Sequence, residues 1–204
     1  MGFASAQVHV GPGQTYANIG LACTAHAIQA RDTVYLHKGT YAGGMLIDSL
    51  FGTSAKWITI CNFRTDSVSI LGQWTVTVAN YLRITGLTFN GNDSASWANG
   101  SIYHQLFFDY NYVCLTDLTH ITVDHCNFIN LLCGPKKYTL SNTAGNVSIK
   151  FTGTDTFQVS NCLFLGNAGS EGLSMNGDRN GMVKNNRFDA PVAGSGLAWS
   201  SHCS

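Results

Sequence analysis

The sequence predicts an all-β fold, a right-handed single-stranded parallel β-helix covered at its N-terminal end by an α-helical cap. Three observations predict it. Glycine is abundant at 22 residues and proline scarce at 3, while 45% of the chain is hydrophobic and only 11% charged; this is the make-up of a turn-rich β protein. Four segments, "YLRITGLTF", "HITVDHCNF", "TFQVSNCLF" and "GMVKNNRF", repeat one pattern. Within that pattern the apolar alternation pauses at one place, as in the "VDHC" of "HITVDHCNF", and then resumes.

The repeat is readable column by column. Counting back from Phe89, Phe128, Phe164 and Phe188, the second residues are Leu87, Cys126, Cys162 and Asn186. The fifth are Ile84, Val123, Val159 and Val183, and the seventh Leu82, Ile121, Phe157 and Gly181. The registration extends without a gap to Val76, Leu115, Phe151 and Met175, and to Trp74, Val113, Ile149 and Leu173. Only Gly181 and Asn186 depart from apolar or Cys. Each copy then holds three short strands. The phenylalanines stand 39, 36 and 24 residues apart, the shortest interval fitting one coil and the others a coil plus an insertion. A single coil cannot bury its own apolar face, whereas stacked coils bury a continuous core. The pause is a corner between two strands, occupied by Asn161 and Asn185 in sister coils; Asn tolerates the left-handed conformation. An antiparallel sandwich also alternates, but it does not require three strands to stay in phase in every repeat.

The other segments follow in order, and residues 1–204 read as one domain. Residues 1–9 read as a tail. Its Ala4-Ser5-Ala6 has the small-x-small form of a signal-peptidase site and favours a secreted or periplasmic protein, although an ordinary N-terminal tail explains it equally. Residues 13–30 read as the capping helix region, with Ile19, Cys23, Ala27 and Ile28 at helical spacing and Thr15 as the cap. Residues 31–204 read as coils, beginning with "DTVYLHKGTY", "WITICNF", "VSILG" and "WTVTV" and carrying insertions at 90–112 and 129–148. In "APVAGSGLAWSSHCS" another coil begins at Leu197 and Trp199. An open last coil exposes core and strand edge, so cover by the tail or by a partner chain in a homodimer is expected there.

Composition excludes some functions. Formal net charge is zero, which offers no pull toward nucleic acid or anionic lipid, and no apolar run is long enough to span a membrane. The seven cysteines include no C-x-x-C and no Cys/His spacing of a structural zinc site; Cys126 and Cys162 read as stacked buried thiols. No histidine falls in a recognisable nucleophile motif, and Asp178 and Arg179 in "GDRNG" fit a corner turn.

Candidate site residues come from outward positions and from the insertions. The outward columns read Thr75, Cys114, Lys150, Ser174 and Thr77, Thr116, Thr152, Asn176, stacked about 4.8 Å apart. A solvated sheet face explains them as well as a site does. The insertions leave one corner of successive coils and bring Trp97, Tyr103 and His104 beside Lys136, Lys137 and Tyr138. Long loops on rigid scaffolds often carry binding residues: aromatics stack on sugar faces, and lysines meet uronate carboxylates. Phe107 and Phe108 read as a satellite core beneath the loop. The local catalytic candidates are Lys150 and Arg179, with Lys136, Lys137 and Glu171 at the margins. Lys150 serves as a base only beside something that favours its neutral form, and no neighbouring cation is evident from spacing.

The stretch "VGPGQTYANI…ARDTVYLHKGTYAGGMLI" resembles the opening of pectate lyase-like right-handed β-helix proteins. More narrowly, "GTSAKWITI", "VSILG", "NYLRITGLTFNG" and "ITVDHCNF" resemble the chondroitinase B and alginate lyase family of polysaccharide lyases. The resemblance implies a carbohydrate-associated protein with a polysaccharide partner. It also implies the chemistry of a lyase on uronate-containing glycans: neutralisation of the carboxylate by Ca2+ or basic side chains, a base for the C5 proton, and an acid for the leaving oxygen. In that family the calcium-binding carboxylates and the catalytic Lys and Arg gather on outward faces of successive coils. No residue here matches that motif. Two function classes follow: a glycan-binding or feeble, incomplete lyase, and a non-catalytic structural or assembly module or fragment of a larger lyase.

Overall fold

The computed structural model describes residues 6–91, 104–109, 118–130, 147–165 and 171–189. Their strands form three sheets in which every strand pairing is parallel. The first sheet runs Gln7–Val10, Thr33–Leu36, Ile58–Asn62, Ala79–Thr85, Leu118–Asp124, Asp155–Ser160, Arg179–Lys184, with Leu50–Phe51 added beside Ala79–Thr85. The second runs Gly39–Ala42, Val68–Leu71, Thr88–Asn90, Asn127–Ile129, Leu163–Leu165, Arg187–Asp189. The third runs Met45–Ile47, Trp74–Val76, His104–Asp109, Val147–Thr152, Glu171–Asn176. The chain visits the first, second and third sheets in turn and starts again, which makes the described residues a right-handed parallel β-helix.

The repeat pattern becomes side-chain stacks in the core. Phe89, Phe128, Phe164 and Phe188 pair in register along the second sheet. Their rings lie nearly parallel, with centroids 5.0, 5.0 and 4.5 Å apart. Ile60, Ile84, Val123 and Val159 form a buried aliphatic column on the first sheet. The corner between these sheets is left-handed in coil after coil, at Gly86 (φ 72°), His125 (49°), Asn161 (54°) and Asn185 (56°).

Both exceptions to the apolar pattern have a physical reason. Asn186 Oδ1 accepts the Cys162 N–H at 2.9 Å and its Nδ2 donates to the Val159 carbonyl at 2.9 Å, so its amide serves the corner backbone. At Gly181 an added Cβ would lie 2.2 Å from Phe157 Cζ; the Phe157 ring fills that space.

Four expectations are corrected. The last three residues of the expected tail 1–9 are not tail but open the strand Gln7–Val10, paired with Thr33–Leu36. The helix is only Ile19–Thr24, and its N-cap is Asn18, whose Oδ1 accepts the Leu21 N–H at 3.0 Å, in place of Thr15. His26 turns left-handed at φ 51°, so Ala27 and Ile28 lie beyond the helix, although Ile28 is still buried. The registration of the second copy also contains a gap. Leu106 and Phe108, not Val113 and Leu115, pair with Trp74 and Val76 on one side and with Ile149 and Phe151 on the other.

"QLFFD" offers the same alternation as "VCLT" seven residues earlier, and packing selects it. Phe108 stacks on Phe151 at 4.7 Å, and the Gln105 amide donates to the carbonyls of Phe89 and Ile129 at 2.9 Å each. The stretch 90–112 therefore contains a coil strand, His104–Asp109, and Phe107 and Phe108 belong to it instead of to a satellite core. Lastly, the second insertion lies within 129–148 but is shorter, because Ile129, Val147 and Ser148 are strand residues. Leu197 and Trp199 fall outside the described residues.

The phenylalanine column yields a stability prediction. Phe128→Ala removes a fully buried ring stacked on both sides and should cost about 3–5 kcal/mol, read as a lower urea midpoint at unchanged slope. A loss below about 1 kcal/mol would contradict the stack.

Candidate functional site on the outer face of the third sheet

Strand alternation divides the third sheet into two faces. Trp74, Val76, Leu106, Phe108, Ile149, Phe151 and Leu173 point to the core. The register then places Leu46, Thr75, Phe107, Lys150 and Ser174 in one outward column. Two residues along, Asp109, Thr152 and Asn176 form another, which Thr77 and Asp48 extend past the strand ends; Thr77 Oγ1 donates to Asp48 Oδ1 at 3.1 Å.

Charge on the described part of this face comes from Lys150, Asp109 and, past the strand end, Asp48. Lys150 Nζ stands 5.5 Å from the Phe107 ring centroid, over the ring, a cation–π arrangement. Asp109 belongs to the adjacent strand. Burial pushes its carboxyl above the usual carboxylate range, and the positive charge of Lys150 only partly offsets this. Around the pair the face presents hydroxyls and amides. The Thr152 Oγ1 is buried and has no hydrogen-bond partner among the described residues.

The sequence-derived candidates separate on this geometry. Lys150 lies on the outward face as expected. Asp109 was missed because the shifted register had put Cys114 and Thr116 in these columns; the alternation of "QLFFD" was the signal for it. Arg179 opens a first-sheet strand and pairs with Asp155, so it is not brought to Lys150. His104 is not a loop residue: its backbone pairs with Val147, which pairs in turn with Glu171. Trp97, Tyr103, Lys136, Lys137 and Tyr138 fall outside the described residues.

Two other polar groups serve the corners. Asp178 accepts the backbone N–H groups of Thr154 at 2.6 Å and Asn176 at 2.7 Å. Burial outweighs those hydrogen bonds and pushes its carboxyl up to about 6. Asp124 accepts from His125 Nδ1 at 2.7 Å, Ser160 Oγ at 2.8 Å and Asn161 Nδ2 at 2.9 Å. Burial raises its pKa, but these hydrogen bonds outweigh burial and hold it below the usual range. Ser160 and His125 both bind the carboxylate, so the histidine is not placed to activate the hydroxyl, and the group is no nucleophile.

Among the described residues no group of three or more His, Cys, Asp or Glu is placed to hold a metal ion such as calcium.

No protein-family model matches the chain, and no curated protein sequence matches it. Solved polysaccharide lyases are similar to it. Pectate lyase Pel9A is 11% identical with a TM-score of 0.46, over 86% of this chain and 56% of that one. A mannuronic acid specific polysaccharide family 6 lyase from human gut microbiota is 13% identical with a TM-score of 0.43, over 95% and 50%. A mutant of the PL6 family alginate lyase AlyGC is 12% identical with a TM-score of 0.31, over 90% and 38%. The chain spans about half the length of the first two and less of the third. The likeness is one of fold, and the fold itself rests on the parallel ladders.

Asp178 makes stability depend on pH with a definite sign. Its folded pKa of about 6 lies above the unfolded value of about 3.9. Its contribution is therefore fully present below about pH 4 and is lost as pH rises through 6. The stability of the wild type minus that of Asp178→Asn should fall by at most about 3 kcal/mol across this window in urea titrations. A difference that rises with pH would contradict the assignment.

Proposed function

We propose that this chain is a secreted, carbohydrate-binding β-helix on the polysaccharide-lyase plan, with at most feeble lyase activity. One observation carries the reading: an ammonium, Lys150, and a carboxylate, Asp109, on neighbouring strands of an outward face that also carries hydroxyl and amide groups. Thr75 and Asn176 suit sugar hydroxyls, and Lys150 suits a uronate carboxylate. β-Elimination needs a carboxylate neutraliser, a base and an acid together. Asp109, with its raised pKa, suits the acid. Lys150 is the one cation on the described part of this face, and a charged ammonium that neutralises the uronate cannot also remove the C5 proton. The described chemistry is one group short, so binding is favoured over turnover.

A second reading, an assembly module, is favoured by the first sheet's last strand. Arg179–Lys184 is mostly exposed, and its outer edge pairs with no strand among the described residues. A second copy meeting that edge would make the homodimer.

Calorimetry against alginate, pectate and chondroitin sulfate tests the main reading, with unsaturated product followed by absorbance. Lys150→Ala should weaken binding of an acidic glycan about tenfold, a cost on the order of 1.4 kcal/mol, and added salt should weaken wild-type binding. Unchanged binding in Lys150→Ala would sink the proposal. Robust turnover lost in that variant would replace it with a true lyase.

A further inference from the structure

Cys126 and Cys162 occupy the same position at one corner of two successive coils. Before the corner Asp124 pairs with Ser160, and after it Asn127 pairs with Leu163. Both corners turn through a left-handed residue, His125 and Asn161. The two α-carbons are therefore one coil step apart, about 4.8 Å, inside the roughly 4.4–6.8 Å that a disulfide spans. Both side chains face the core, 0% and 2% exposed. Cys162 Sγ reaches back to the Val123 carbonyl of the Cys126 coil at 3.8 Å and to its own Ser160 carbonyl at 3.2 Å. Cys126 Sγ meets the carbonyls of Asp124 at 3.4 Å and Ile84 at 3.8 Å. The flanking members of the column, Leu87 and Asn186, offer no sulfur, so the thiols face only each other along it. Burial pushes the Cys126 thiol well up, while its contact with Cys162 pulls the Cys162 thiol down. The two thiols titrate as one coupled pair.

We propose that Cys126 and Cys162 form a reversible oxidation site, closing into an inter-coil disulfide when the chain meets a small-molecule disulfide of the oxidised-glutathione class. The Cys162 thiol loses its proton and its sulfur attacks one sulfur of the small disulfide. That S–S bond breaks, and one small thiol leaves with the proton. The Cys126 thiol then loses its proton and attacks Cys162 Sγ, and the second small thiol leaves with that proton. Two protein thiols are oxidised by two electrons, and one small disulfide is reduced to two thiols. Parallel Cβ atoms one coil apart sit slightly beyond the roughly 3.5–4.5 Å that a relaxed disulfide prefers. The bond is therefore strained and easily reduced, a staple that opens and closes. Because the thiols are buried, it forms during folding or through local opening.

The test uses the full wild-type chain, both native and refolded from denaturant, in buffers of oxidised and reduced glutathione. The samples are acid-quenched, alkylated in denaturant and mapped by peptide mass. The expected product joins the Cys126 and Cys162 peptides with the loss of two hydrogens, and excess reduced glutathione reverses it. The oxidised form should melt at a different temperature from the reduced form, a shift absent in Cys126→Ala and in Cys162→Ala. The proposal is overturned if both cysteines remain alkylatable after refolding in excess oxidised glutathione, where burial no longer limits access. Linkage of either to Cys23, Cys61 or another cysteine in preference to its neighbour overturns it as well.

Discussion

The coil step of the parallel ladder governs this molecule. Each coil pairs its backbone with the coils before and after it, so like positions repeat at the inter-strand spacing. A side chain that fits one coil must also fit its own image in the next. Flat rings meet this condition well, as in the stack from Phe89 to Phe188. The corners obey it too. The left-handed turn at Gly86 recurs at His125, Asn161 and Asn185, which keeps these successive corners in one shape.

The same constraint limits the chemistry of the outer faces. Side chains in one column sit a fixed step apart, so a site needs complementary residues in adjacent coils or adjacent columns. Lys150 and Asp109 meet that requirement across neighbouring strands. The buried carboxylate of Asp178 is committed to backbone N–H groups, and Asp124 to its corner neighbours. The polar groups of the described residues thus divide into those that hold the coils together and a small remainder available to a ligand.

Glycines in the last coils show how the stack adjusts when an inward side chain is missing. Phe157 lies over Gly181, and Phe188 lies against Gly172. A ring from another coil or another sheet fills each space, which keeps the interior close-packed. The core can therefore narrow along the axis without leaving a void.

The sequence by itself determined the architecture. Period-two alternation, a break at a constant place and a phenylalanine recurring in phase are properties of single strands and corners, and they survive in any register that stacks coils. Tertiary structure decided the register of the second copy. "QLFFD" and "VCLT" alternate alike, and only the stack of Phe108 on Phe151 with the bridging amide of Gln105 separates them. That choice moved Asp109 beside Lys150 and so set the charge of the candidate site. A second left-handed column, Tyr81, His120, Thr156 and Asn180, was equally illegible, because three of its four members are not residues that favour that conformation alone. Local pattern carries the strands, but which of two equal patterns enters the ladder is a contact between residues distant in sequence, and only the assembled coils supply it.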